Sequence, residues 1–187
     1  MYKRLIKLLI LIMNLGTIIV AALEFTRGNF SRILTFLAIF PILFAPYIIN
    51  KTKYKLNYQE MFLYYFFIFL ADFLGCVVNL YNILSWYDLF VHFLSGIFTF
   101  VLGIIVLKRI NSYDKDNKIL NVEFALGVVA IIAILWEIFE FSADNILKVN
   151  LQHNLDTGVN DTMGDMIVAS LGGFVGMLFY LINANKK

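Results

Sequence analysis

Six apolar runs, Leu5–Leu23, Ile33–Ile49, Met61–Leu80, Leu89–Leu107, Val122–Phe141 and Met166–Ile182, occupy most of this 187-residue chain and constrain it more than any other feature. A stretch of about 20 apolar residues crosses the roughly 30 Å hydrocarbon core of a bilayer as a helix. Inside that core each backbone N–H and C=O must be satisfied within the protein, and the helix does this locally. The connections between runs are short, so there is room for neither a separate soluble domain nor a linker. The expectation is an all-α, polytopic integral membrane bundle of six transmembrane helices, with residues 1–187 forming a single transmembrane domain. Composition agrees: 61% of residues are hydrophobic and 15% charged, against roughly 45–50% and 25% in a soluble domain. A soluble enzyme, a disordered tail and a nucleic-acid binder are excluded as classes. A lone cysteine, Cys76, excludes an internal disulfide framework and a cysteine-based zinc site.

Orientation follows from the basic residues, because Lys and Arg collect on the cytoplasmic side of membrane proteins. With the N-terminus inside, the inner side receives Lys3, Arg4, Lys7, Lys51, Lys53, Lys55, Lys108, Arg109, Lys115, Lys118, Lys186 and Lys187, twelve of the fifteen. Only Arg27, Arg32 and Lys148 fall outside. Both termini are therefore expected in the cytoplasm, with the protein in a bacterial cytoplasmic (inner) membrane. The N-terminal run is span-length and lacks a small-x-small cleavage site, so it reads as an uncleaved first helix rather than a signal peptide. The second run carries Pro41 and Pro46. A membrane helix tolerates such residues when neighbours satisfy the carbonyls they free.

The acids are distributed the other way. Glu24, Asp72, Asp88, Glu137, Glu140, Asp144, Asp156, Asp161 and Asp165, nine of thirteen, fall on outer loops or the outer halves of spans, and both histidines, His92 and His153, are there too. Helical spacing groups them. Asp88 and His92 share a face at i, i+4, with Ser95 and Thr99 continuing the stripe. Glu137, Glu140 and Asp144 share another, and Asp161 and Asp165 a third. Below these, Ala169, Gly172 and Gly176 form a small-residue stripe that lets a neighbouring helix approach closely. On the third span Asp72, Cys76 and Asn79 are expected on one side. At about 1.5 Å per residue, His92, Glu140 and Asp165 lie about 6 Å below rim positions and Glu137 about 10 Å below, with Asp72 nearer the midplane. Ionisable groups at a span centre cost about 2.5–3.5 kcal/mol on insertion scales, so they face one another or a wet cavity.

Each motif also has a plainer structural reading. Asp88 can cap a helix while His92 hydrogen-bonds within the bundle. Asp144 and Glu140 can be solvated acids at a helix end, and Asp161 sits well with a helix dipole. Trp136 reads as an interfacial or packing aromatic, and His153 as an exposed loop residue. Glu137 is too deep for solvation. One imidazole among carboxylates suits Mg²⁺, Mn²⁺, Fe²⁺ or Zn²⁺ in an open catalytic site. Paired carboxylates without metal could instead do acid/base chemistry.

The set Asp88-x3-His92-x3-Gly96, Glu137-x2-Glu140 and Asp161-x3-Asp165 resembles the YjdF-like family of small bacterial inner-membrane proteins, over roughly the C-terminal half of the chain. The resemblance implies a polytopic helical bundle and assigns no activity.

The leading functional expectation is a metal-dependent hydrolase or transferase acting at the outer leaflet on a lipid or lipid-linked substrate. His92, Glu137 and Asp165 are the expected catalytic groups. His92, Glu137, Glu140, Asp161 and Asp165 are the expected ligands of a divalent metal, with Asp88 orienting the imidazole and Asp144 and Asp72 as supporting groups. Membrane lipids are the expected partners. The alternatives are a transporter or channel for protons, metal ions or small cations, in which Asp72 and Glu137 carry the ion, and a non-catalytic partner in an envelope complex.

Overall fold

The computed structural model describes residues 1–29, 33–147 and 159–184, and among them all regular structure is helical. The chain forms two compact units, residues 1–87 and 88–187. In the first, α1 is Tyr2–Thr26, α2 is Ile33–Ile49, α3 is Tyr58–Ile68 running on as a π-helix over Phe69–Val77, and α4 is the short Leu80–Ile83. In the second, α5 is Tyr87–Arg109 (Tyr87 being the boundary residue), α6 is Lys118–Leu147 and α7 is Val159–Ala184.

Among the described residues, five helices are long and apolar enough to cross a membrane: α1, α3 with its π-helical continuation, α5, α6 and α7. The sixth expected span is the shorter α2, whose 17 residues reach about 26 Å. Most helices outrun their apolar runs, most visibly α6, which continues from Phe141 to Leu147, and α7, which starts at Val159 rather than Met166. Sequence bounds stop at the first polar residues, whereas backbone hydrogen bonding continues into the polar flanks. The third span differs in kind. It begins at Tyr58, where Asn57 and Glu60 form a reciprocal capping box, and ends at Val77 rather than Leu80. Asn79 lies beyond it with φ +76°, so it does not extend the Asp72 and Cys76 face as expected.

Pro41 and Pro46 both lie inside α2, which runs on through them, and at Pro46 a neighbour compensates. Proline has no N–H to give the carbonyl four residues back, which here belongs to Ile42. The Tyr64 hydroxyl donates to the Ile42 carbonyl at 2.8 Å, and the Tyr65 hydroxyl to the Leu43 carbonyl at 3.0 Å. Two tyrosines of α3 thus tie it to the proline-bearing helix. Met13, Phe36, Ile39, Leu43, Tyr65, Phe73 and Val77 form the core of this unit.

In the second unit, Phe100, Ile104, Ala125 and Val129 make a small core joined by Leu126, Met177 and Tyr180. Ile131, Leu135 and Ile138 of α6 are exposed, as suits residues facing acyl chains. Between helices in lipid, close packing stabilises rather than exclusion of water. That packing is achieved by glycine. A Cβ at Gly96 would strike the Ala169 carbonyl, and one at Gly172 the Phe93 carbonyl, so α5 and α7 meet backbone to backbone. The stripe of Ala169, Gly172 and Gly176 does what its spacing predicted.

At the end of this unit where α5 gives way to α6, Asn121 is fully buried. Its amide donates to the Asp114 carbonyl and to the Tyr180 hydroxyl, and its carbonyl accepts from the Asp114 N–H. Tyr113 and Tyr180 share a hydrogen bond at 3.2 Å. That bond, with burial second, pushes the Tyr113 phenol up to about 12, so this hydroxyl stays protonated. Lys118 donates to the Ala184 carbonyl at the end of α7.

Candidate functional site

The opposite end of the second unit gathers the acids. Asp88 stands in the first turn of α5, and His92 follows one turn later at 8% exposure. Asp161 stands in the first turn of α7, and Asp165, one turn on, is only 2% exposed. The glycine contact lies just below: Gly96 is one turn past His92, and its partner Ala169 one turn past Asp165. The backbone approach therefore brings the imidazole and the Asp165 carboxylate to the same level.

The imidazole Nε2 is 3.6 Å from Asp88 Oδ1 and 3.9 Å from Asp165 Oδ2. Both exceed hydrogen-bonding distance. One atom from each of Asp88, His92 and Asp165 falls within 4.8 Å of the others. Asp165 Oδ1 is buried with no hydrogen-bond partner among the described residues. Both acids approach the same ring nitrogen, so Asp88 stands alongside Asp165 rather than across the ring from it.

Other acids of α6 and α7 lie within electrostatic range of this trio. Glu137 on α6 is 7% exposed. Glu140 lies within electrostatic range of Glu137, Asp88 and Asp165, and Asp165 within range of Asp88, Asp161 and Glu137. Trp136 donates its indole N–H to Glu140 Oε1 at 2.8 Å. Sequence alone suggests only an interfacial or packing role for this tryptophan, although the i, i+4 spacing from Glu140 carries the signal. Asp144, half-buried, follows one turn along α6, which is still helical there. Asp72 belongs to the first unit, half-buried on the π-helical segment and electrostatically close to Tyr64. His153 and Asp156 lie outside the described residues.

The sequence profile of a family described as predicted membrane proteins, DUF2238, matches residues 4–186. The chain belongs to this family. It is a multi-pass membrane protein, as its long apolar helices require. An uncharacterised protein of Thermotoga maritima is 30% identical over 131 residues, which cover 69% of this chain and 66% of that protein, just under two thirds of its length. No solved structure matches the chain. The family assignment carries no reaction with it, so the chemistry rests on the residues.

Proposed function

We propose that this family member is a metal-dependent hydrolase or transferase that binds one or more divalent cations near the outer face of a bacterial inner membrane and acts on a lipid or lipid-linked substrate. The observation that carries the proposal is the convergence of Asp88, His92 and Asp165, the last with a buried carboxylate oxygen that has no hydrogen-bond partner among the described residues. The spacing fits a metal. Ligands about 2.1 Å from a tetrahedral ion are about 3.4 Å apart. Separations of 3.6 and 3.9 Å need only a few tenths of an ångström of closure. An imidazole with carboxylates suits Mn²⁺, Fe²⁺, Zn²⁺ or Mg²⁺.

In this reading His92, Asp165 and Asp88 hold the ion, and Glu137, Glu140 and Asp161 serve as further ligands or proton carriers. Bound metal would polarise a carbonyl or phosphoryl oxygen of the substrate. The indole N–H of Trp136 fixes the Glu140 carboxylate, which keeps a proton acceptor in one place. Six spans with both termini cytoplasmic, supported by the twelve-to-three split of basic residues, set this end about one helical turn below the outer rim, where a lipid headgroup can enter sideways. The resemblance to YjdF-like inner-membrane proteins supports the same location.

The test is elemental analysis of the purified protein beside His92→Ala and Asp165→Asn. Wild type should carry at least one divalent ion per chain, and both variants should lose it. A wild-type protein without metal after reloading with Mn²⁺ or Zn²⁺ would overturn the proposal.

A further inference from the structure

The first unit gathers its basic residues where α1 and α3 begin. These helices run side by side in the same direction. The Tyr2 and Phe62 rings meet at 5.5 Å near the two starts, and further on a Cβ at Gly16 would strike the Phe73 ring. Lys3, Arg4 and Lys7 of α1 therefore stand at the same end as Lys51, Lys53 and Lys55, which precede α3, and all six are exposed. The acid of this end, Glu60, has its carboxylate in the capping box with Asn57.

Setting the topology asks nothing of a loop beyond its charge, yet this loop is held in shape. Asn50, just past α2, accepts from the Leu56 N–H at 2.6 Å and reaches Met61 Sδ of α3 at 3.6 Å, while Thr52 takes the Tyr54 N–H at 3.1 Å. The adjoining face of α2 adds a separate observation. Phe44, Tyr47 and Ile48 share that face by helical spacing, and they are 60–61% exposed. Lys51 follows one turn after Tyr47 and lays its ammonium over that ring, 5.1 Å from its centre, and Lys53 sits over the Tyr54 ring at 5.0 Å. Toward the rim, one strip thus presents apolar surface, then an amphipathic ring, then a cation. A phospholipid presents its acyl chain, its ester region and its phosphate in the same order.

We propose that this strip binds an anionic phospholipid lengthwise, with a chain along Phe44 and Ile48, the ester region on Tyr47 and the phosphate on Lys51. Lys53, Lys55 and the cations of α1 draw such headgroups to this end of the unit, an attraction that falls off within a Debye length. A zwitterionic headgroup brings its own ammonium and loses most of that attraction, so the strip selects by charge. In the orientation proposed above it meets the cytoplasmic leaflet, the anionic one. The proposal does not depend on the metal site, and either can fail without the other.

The experiment titrates the full-length protein in detergent micelles with phosphatidylglycerol or chain-matched phosphatidylcholine and counts bound lipid by native mass spectrometry. Wild type should hold a phosphatidylglycerol about tenfold more tightly than phosphatidylcholine. Replacing Lys51, Lys53 and Lys55 together by Gln should abolish that preference. Replacing Lys108, Arg109 and Lys115 by Gln removes as much charge from the second unit and should leave it intact. Lys51→Gln alone should lower it severalfold, which keeps the proposal testable where the triple variant inserts wrongly. Glycerol phosphate, an anion without chains, should not compete. No preference in wild type, no effect of Lys51→Gln, or an equal loss in both triple variants overturns the site. Competition by glycerol phosphate would assign the strip to a free anion, and displacement of the lipid by polyglutamate would assign it to an acidic protein; either result overturns the lipid.

Discussion

The two ends of the second unit handle buried polarity in opposite ways. At one, fully buried Asn121 places both ends of its amide on partners, and Tyr113, Tyr180 and Asp114 close the network around it. At the other, His92 comes within 4 Å of two carboxylates yet stands beyond hydrogen-bonding distance of both, and Asp165 keeps a buried oxygen without a hydrogen-bond partner among the described residues. A satisfied network stabilises the fold, whereas a partly satisfied one costs stability and is retained where something else completes it. The first end is a clasp. The second is where the proposed function puts its cation.

Asn121→Leu should have the largest effect, because it strands the Asp114 N–H and carbonyl together and takes one partner from the Tyr180 hydroxyl. A loss of about 3 kcal/mol is expected, measured by thermal unfolding in detergent, with the metal content of the surviving fold unchanged. Loss of metal binding without loss of stability would reverse the roles given to the two ends. Asp165→Asn should act with the opposite sign. In metal-free protein, removing a charge from a buried acidic cluster should raise stability by about 1–2 kcal/mol while abolishing metal binding. A destabilisation of the same size would mean that this end is structural too. The smallest effect belongs to Tyr180→Phe, about 1 kcal/mol by the same unfolding measurement, since Asn121 keeps its contacts to Asp114.

How far each end is legible in the sequence follows the same division. Acids on apolar spans are conspicuous, and the rise of about 1.5 Å per residue, counted from rim positions, sets His92, Glu140 and Asp165 at one expected level. The small-residue stripe on α7 likewise announces a close helix contact. Asn121 gives no such signal, because a single amide at the edge of an apolar run looks like any polar flank. Its meaning lies in Asp114 and Tyr180, one of them 59 residues away. The π-helical stretch over Phe69–Val77 is invisible for another reason. A period that assumes i→i+4 bonding cannot register the i→i+5 bond that Val78 makes to Phe73, so the expected face runs on to Asn79.

The backbone contact of Gly96 with Ala169, and of Gly172 with Phe93, gives α5 and α7 a fulcrum. A contact between main chains has no side chain in it to repack, so it suits rocking about that point better than sliding past it. His92 and Asp165 ride about 6 Å above the Gly96–Ala169 contact, each one turn away from it. A tilt of about 5° at that arm moves either group by about 0.5 Å, comparable to the closure a cation requires from a starting gap of 3.9 Å. Capture of an ion would then be transmitted as a small change in crossing angle, amplified along the remaining length of both helices toward the Asn121 clasp.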